Sequence, residues 1–325
     1  MSKLLELEDL HVWFELEGGG ELHAVQGVSL SVEPGERLGL VGESGCGKTT
    51  TALSMMGLLP PNASVAGRVL LDGVDMLAGG EPTIRRRRWV DIAIVFQGAM
   101  NALNPVRTVG SQIVEALELH QLANGAVARR RVGELLEQVG IPAERAERFP
   151  HELSGGMRQR AAIAMALSCN PRVLIADEPT TALDVMVQAQ ILELLDGLCS
   201  DFGLALILVT HDLPVVAQLC DRGAVMYAGE IVETGAVEAL YHTPRHPYTR
   251  LLFAATPDLD AGRTEIASIP GAPPRLDHPL HGCPFRPRCD SAFTPCAALR
   301  PQLRVVEDAH AAACHLNGVV ALAET

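Results

Sequence analysis

The sequence predicts an α/β chain, with a β layer ahead of the core and a helical stretch inserted into it. Three observations carry that expectation. A glycine-rich run, Gly42 to Thr49, joins the apolar stretch Arg37-Leu38-Gly39-Leu40-Val41 to the helix-forming residues Thr50 to Met56. Two further apolar runs of strand length, Arg172 to Ala176 and Ala205 to Thr210, each emerge in polar residues, Asp177-Glu178 and His211-Asp212. Ahead of both, residues 110–168 lose strand character and take helical spacing.

The glycine-rich run, Gly42-Glu43-Ser44-Gly45-Cys46-Gly47-Lys48-Thr49, matches the phosphate-loop pattern G-x-x-x-x-G-K-[ST] in full. Glycines let backbone N–H groups close on a phosphate, and the following helix presents its positive end to the anion. Lys48 adds a point charge, and the Thr49 hydroxyl can bind Mg²⁺. The expected ligand is a nucleoside triphosphate with Mg²⁺. Kinases, GTPases and motor ATPases share this loop, so it does not by itself say what hydrolysis drives.

At 325 residues and 48% apolar content the chain can hold a sizeable core plus an appendage. A formal net charge of -13 argues against a nucleic-acid-binding surface. The one basic run, Arg85 to Arg88, reads as a solvated approach to the strand Ile92 to Phe96. No apolar run approaches the ~20 residues of a spanning helix, and acidic residues stand where a secretory signal would be apolar. The expected location is the cytoplasm, with docking onto other subunits if a membrane process is served.

Residues 4–33 read as two strands around the turn Glu17 to Glu21, and either Trp13 or Phe14 could stack on a nucleotide base. A further strand and turn run from Val69 to Gly73. Gln97 follows the strand Ile92 to Phe96 and could reach a metal or an attacking water. Val114, Leu117, Leu119 and Leu122, then Val132, Leu135, Leu136 and Val139, set the apolar face of the helical stretch. It closes on Leu153 to Arg160, where Ser154 is a good N-cap and Gly155 and Gly156 leave N–H groups open for a second anion. In the strand-end pair, Asp177 suits Mg²⁺ and Glu178 suits a general base. Thr181 to Asp184 then turns the chain into a helix from Val185 to Leu198, and His211, at the carboxyl end of a core strand, could sense the γ-phosphate.

Taken together these elements resemble the ATP-binding cassette (ABC) family, over residues ~5 to 240 and with every signature in order. The resemblance implies a P-loop ABC-type nucleotide-binding domain: a RecA-like core with an antiparallel β layer and an inserted helical subdomain at about residues 100–165. It implies Phe14 as the base-stacking aromatic, and Gly42, Ser44, Gly45, Cys46, Gly47, Lys48, Thr49 and Thr50 as the ATP-binding loop. Gln97 becomes the Q-loop, Asp177 and Glu178 the Walker B pair, Asp184 the D-loop and His211 the switch, with Thr49, Gln97 and Asp177 directed to Mg²⁺. Ser154, Gly155, Gly156 and Gln159 form the signature, which in this family meets the ATP of a second, head-to-tail cassette.

A finer resemblance is to the D-type ATPase of dipeptide and oligopeptide importers. It rests on Ser54 to Pro60, Asn101 to Pro105, Leu153 to Arg160 and His246-Pro247-Tyr248-Thr249. It implies a second related ATPase, two transmembrane permease subunits and an extracytoplasmic peptide-binding protein, with this chain peripheral on the cytoplasmic face of the inner membrane. Nickel, glutathione or an opine as cargo would leave the machinery the same, and a soluble cassette acting on DNA or ribosomes is the alternative of another class. Gly98-Ala99 departs from the family, which commonly has an acidic residue and proline there.

The sequence divides as 1–250 for the ATP-binding domain and 251–325 for a proline-rich connector and a small Cys-rich module. Cys283, Cys289, Cys296 and Cys314 are separated by five, six and seventeen residues, unlike the C-x₂-C pairs of common zinc sites. Four thiolates suit Zn²⁺ or an iron–sulfur cluster; the importer resemblance implies a [4Fe–4S] cluster. His310 and His315 could substitute as ligands but are expected to be solvated, and Cys46, near a helix N-terminus, to be either activated or buried and inert.

Overall fold

The computed structural model describes residues 3–98, 102–255 and 269–318; Ala99 and Asn101, on which parts of the family comparison fall, lie outside them. The chain divides into two compact units, one of Met1–Leu5, Val32–Glu36 and Asp75–Val209, the other of Glu6–Ser31, Arg37–Val74 and Thr210–Thr325.

The first unit carries the parallel strands Ile92–Val95, Val173–Asp177 and Ala205–Thr210, with the middle one paired on both sides. All three are buried along their whole length, as a parallel sheet covered on both faces requires. Their continuous Val, Ile, Leu and Ala runs follow from that burial. The strand expected to reach Phe96 stops at Val95, and Phe96 is exposed.

Helices Val109–Leu119, Gly125–Gln138 and Gly155–Ala166 form the helical part of this unit. Val132, Leu135, Leu136 and Val139 are buried, as their spacing predicts. The first helix corrects the sequence reading. Its buried stripe is Val109, Ile113, Ala116 and Leu117, whereas Leu119 and Leu122 are more than half or half exposed at 61% and 50%. The helix ends at Leu119, which lies on the exposed side of its last turn, and Leu122 falls beyond it. In the Arg85 to Arg88 run, Arg85 and Arg86 are exposed, as a solvated approach requires, while Arg87 pairs with Asp91 and Arg88 with Glu81 where the helix Gly80–Arg87 closes. The helix Val185–Phe202 runs one turn beyond Leu198 and stops at Gly203, whose φ of 60° is the left-handed cap that glycine favours.

The second unit holds a β layer in the order Glu21–Val32, Leu5–Glu15, Ala63–Leu71, the last longer than the expected Val69 to Gly73. Its other sheet places the phosphate-loop strand Arg37–Val41 parallel to Arg222–Tyr227. Strands Glu230–Ala236, His310–Ala312 and Arg304–Glu307 then continue antiparallel. Strands from residues 304–312 of the tail are thus part of a sheet. His310 and His315 are buried instead of solvated: His310 Nε2 meets Glu233 Oε1 at 2.6 Å, and His315 Nε2 meets the Leu299 carbonyl at 3.0 Å.

Candidate functional site

In the second unit, strand Arg37–Val41 delivers the chain into the phosphate loop and helix Lys48–Met55 takes it out. Two of the loop's glycines are dictated by space. A Cβ on Gly42 would sit 2.2 Å from the Met226 carbonyl oxygen, and one on Gly47 2.5 Å from that of Ala24, both at positive φ. Lys48 is buried, and its ammonium donates to the carbonyls of Gly42 at 2.8 Å and Glu43 at 3.0 Å. The loop is thereby held curved around its own lysine. Ser44, Gly45 and Thr49 form its exposed rim, with Thr50 half-buried.

Cys46 is buried, and burial raises its thiol above the ordinary range, Lys48 only partly opposing this. It is the inert alternative, because desolvation of a thiolate outweighs a helix N-terminus. Of the two candidate aromatics, Trp13 is stacked on His23 at 4.6 Å between centroids and on His11 at 5.4 Å. Phe14, half-buried on the same strand, is left as the base-stacking candidate. His211 is exposed directly after strand Ala205–Thr210.

In the first unit, Asp177 ends its strand fully buried, and Glu178 follows with a φ of 47°. A non-glycine residue in that region carries strain of about 1–3 kcal/mol. The turn aims the carboxylate. Its Oε2 accepts from Gln97 Nε2 at 2.6 Å and from Thr181 Oγ1 at 2.9 Å. Gln97 and Glu178 are thus brought together across 81 residues of sequence, as a Q-loop and a general base would need. Thr181 was not foreseen as a partner; its hydroxyl in the turn after the carboxylates is the signal that could have found it. Asp184 caps the next helix by accepting from Val187 N–H at 3.0 Å.

Ser154 caps helix Gly155–Ala166, accepting from Met157 N–H at 3.3 Å, and remains exposed. Gly156 is packed so closely that a Cβ would lie 2.7 Å from Val187 Cγ1. Gln159 is buried, 3% exposed, on the inner side of the same helix.

The tail cysteines are all free thiols, and Cys283 N–H donates to the Cys296 carbonyl at 2.9 Å. Burial pushes the Cys283 thiol up to about 11, with Cys296 and Cys314 adding to it. Cys289 and Cys314 are raised by burial and in part by their fellow cysteines. The four therefore share one neighbourhood. Among the described residues, however, no group of three or more His, Cys, Asp or Glu is gathered as a metal ion needs. The expected metal at Cys283, Cys289, Cys296 and Cys314 finds no support there, because a single Zn²⁺ requires its sulfurs ~2.3 Å from one centre.

Known proteins are similar to this chain. The family described as ABC transporter matches residues 25–181, and the C-terminal region of oligopeptide/dipeptide transporters matches residues 232–296. The chain is 47% identical over 321 residues to the dipeptide transport ATP-binding protein DppD of Bacillus subtilis, covering 98% of this chain and 96% of that protein. The corresponding protein of Escherichia coli is 45% identical over 316 residues, with 96% of each chain covered. A dimeric ATP-binding cassette solved in a post-hydrolysis state with ADP and Pi superposes with a TM-score of 0.64 at 28% identity, over 72% of this chain and 98% of that one.

Proposed function

Since the chain belongs to the ATP-binding subunits of the ABC dipeptide and oligopeptide transporter family, we propose that it hydrolyses ATP to energise peptide import. Dimerisation with a second, related ATPase couples that hydrolysis to two transmembrane permease subunits and an extracytoplasmic peptide-binding protein. The observation that carries the reading is the short hydrogen bond between Gln97 and Glu178, which joins a Q-loop to a strand-end carboxylate at 2.6 Å.

The residues divide the chemistry between them. The phosphate loop binds the triphosphate through its N–H groups, and Lys48 exchanges its loop carbonyls for phosphate oxygens. Glu178 takes a proton from the attacking water, Gln97 and Thr181 hold its carboxylate for that task, and His211 orients the γ-phosphate. The buried carboxylate of Asp177, the Thr49 hydroxyl and the Gln97 amide suit Mg²⁺, which when bound offsets charge on the phosphates. Phe14 stacks on the base. Ser154, Gly155 and Gly156 serve the partner cassette's ATP and Asp184 caps the neighbouring helix, whereas Gln159 is buried on the signature helix, away from that ATP.

We assign the chain to the cytoplasmic face of the inner membrane, in keeping with described helices none of which is long and apolar enough to cross a membrane. The domain division at residue 250 is proposed as part of the same reading. For the four cysteines a [4Fe–4S] cluster is the better-suited group, since it holds its thiolates further apart than a single ion does, and the free thiols and the hydrogen bond between Cys283 and Cys296 support it. Iron and acid-labile sulfide in the purified chain test that assignment; their lack refutes it.

The import reading is tested by purifying the tagged chain from native membranes in mild detergent. Two permeases and a second ATPase should accompany it, and ATP turnover of the reconstituted complex should rise with a peptide-loaded binding protein. A chain recovered with ribosomes or DNA, or turnover indifferent to peptide, would sink it.

A further inference from the structure

The phosphate loop is gripped at Glu43, a residue that the catalytic scheme leaves unused. All three of its polar groups are engaged. Its N–H donates to Tyr248 Oη at 2.8 Å, its carbonyl accepts from Lys48 Nζ at 3.0 Å, and its carboxylate accepts from both ends of the Arg288 guanidinium at 2.6 and 2.9 Å. Such a two-pronged pair is the strongest geometry an arginine and a carboxylate can adopt.

Arg288 is itself firmly seated. Its side chain is only 4% exposed, and its Nε donates to the Pro270 carbonyl at 2.7 Å. The guanidinium carbon lies 5.7 Å from the Tyr227 ring centre and 5.9 Å from that of Phe285. Tyr227, Tyr248 and Phe285 in turn contact one another with centroids 4.6 to 5.4 Å apart. The cation lies against two rings of this three-ring cluster, without which a buried guanidinium would have to be rehydrated.

We propose that Arg288 is a positioning residue for ATP, cancelling the Glu43 charge in the phosphate loop and, with Tyr248, keeping that loop in its phosphate-accepting shape. The reasoning is electrostatic. A partly buried carboxylate in the loop repels an incoming triphosphate, and the repulsion is strong where water is largely excluded. An uncompensated Glu43 would also compete for Lys48, whose ammonium already bonds the same residue's carbonyl. Pairing with Arg288 removes both effects and leaves Lys48 free to turn to phosphate.

Arg288 directly precedes Cys289, in a turn that follows the Cys283 N–H bond to the Cys296 carbonyl. The cysteine segment is therefore one covalent step from the cation that neutralises the loop. Whatever orders or loosens that segment acts on nucleotide affinity through Arg288.

The inference rests on the loop's being the ATP site, and the experiment separates the two. Binding of a fluorescent, non-hydrolysable ATP analogue with Mg²⁺ is measured on the full chain and its variants. R288M should weaken binding about tenfold, and R288K, which keeps the charge, should recover most of it. The double variant E43Q/R288M should return to within about twofold of the unmodified chain, because no charge then needs cancelling. A double variant as weak as R288M, or R288M binding like the unmodified chain, overturns the proposal. Should R288M fail to fold, R288K and the double variant read the same question. An unmodified chain that binds no nucleotide would refute the ATP site instead.

Discussion

The carboxylate end of the first unit and the phosphate loop of the second are both held rigidly, but by opposite means. Glu178 is positioned largely by its own neighbourhood: a strained backbone, Thr181 three residues on, and one distant side chain, Gln97. The phosphate loop is positioned from afar, by Met226 and Ala24 against its glycines and by Tyr248 and Arg288 against Glu43. The contrast follows from what each is proposed to do. A base needs one carboxylate aimed, which a single tight turn can achieve. A loop that wraps an anion must present many N–H groups at once, and only surrounding structure can hold so much backbone in an unfavourable curve.

The contrast can be broken at its strongest point first. Glu178→Gln should leave ATP binding intact and lower turnover by about 10²–10⁴-fold, as for loss of a general base; undiminished steady-state hydrolysis would remove Glu178 from that role. Gly42→Ala should act through shape instead. A methyl 2.2 Å from the Met226 carbonyl forces the loop open, so nucleotide binding should fall together with stability by about 3 kcal/mol, read by calorimetry and denaturant unfolding.

A third test uses pH. His246 caps helix Pro247–Ala254 by accepting from Tyr248 N–H at 3.0 Å, and complete burial lowers its pKa from 6.5 to about 3. As pH falls below 6.5 the unfolded chain takes up the proton while the folded chain does not. The stability is thus fully present above that value and drains away toward the folded pKa. At pH 5 the His246 share of the loss should be about 2 kcal/mol relative to pH 7.5. Urea unfolding at the two pH values measures it, and His246→Asn, which can still cap, should flatten the dependence. The smallest expected effect sharpens the comparison most. Tyr248→Phe removes only the hydroxyl that meets Glu43 N–H, and should cost about 1 kcal/mol of stability with a modest loss of ATP affinity. A change in turnover at saturating ATP, with affinity untouched, would put Tyr248 on the wrong side of the division.

How much of this was legible in the sequence differs between the two regions for the same reason. The strands Val173–Asp177 and Ala205–Thr210 follow directly from continuous apolar runs, and their polar ends mark where the chain surfaces. The glycines and Lys48 of the phosphate loop announce their chemistry by type and spacing. The exposed Leu119 and Leu122, by contrast, look like core residues until the end of their helix is known. His310 and His315 look solvated until the tail is seen to form sheet.

By itself the sequence determined the α/β class, the nucleotide-binding loop, the strand-end carboxylates and the kinship with peptide-importer ATPases, because these depend on residue types at short, regular spacings. Only the tertiary structure decided that Cys46 is buried and inert, that Trp13 is taken up by histidines, and that Arg288 and Tyr248 reach back to Glu43. Those outcomes depend on desolvation and on contacts across as many as 245 positions. Neither has a period or a spacing along the chain, so both come into being only when the chain folds.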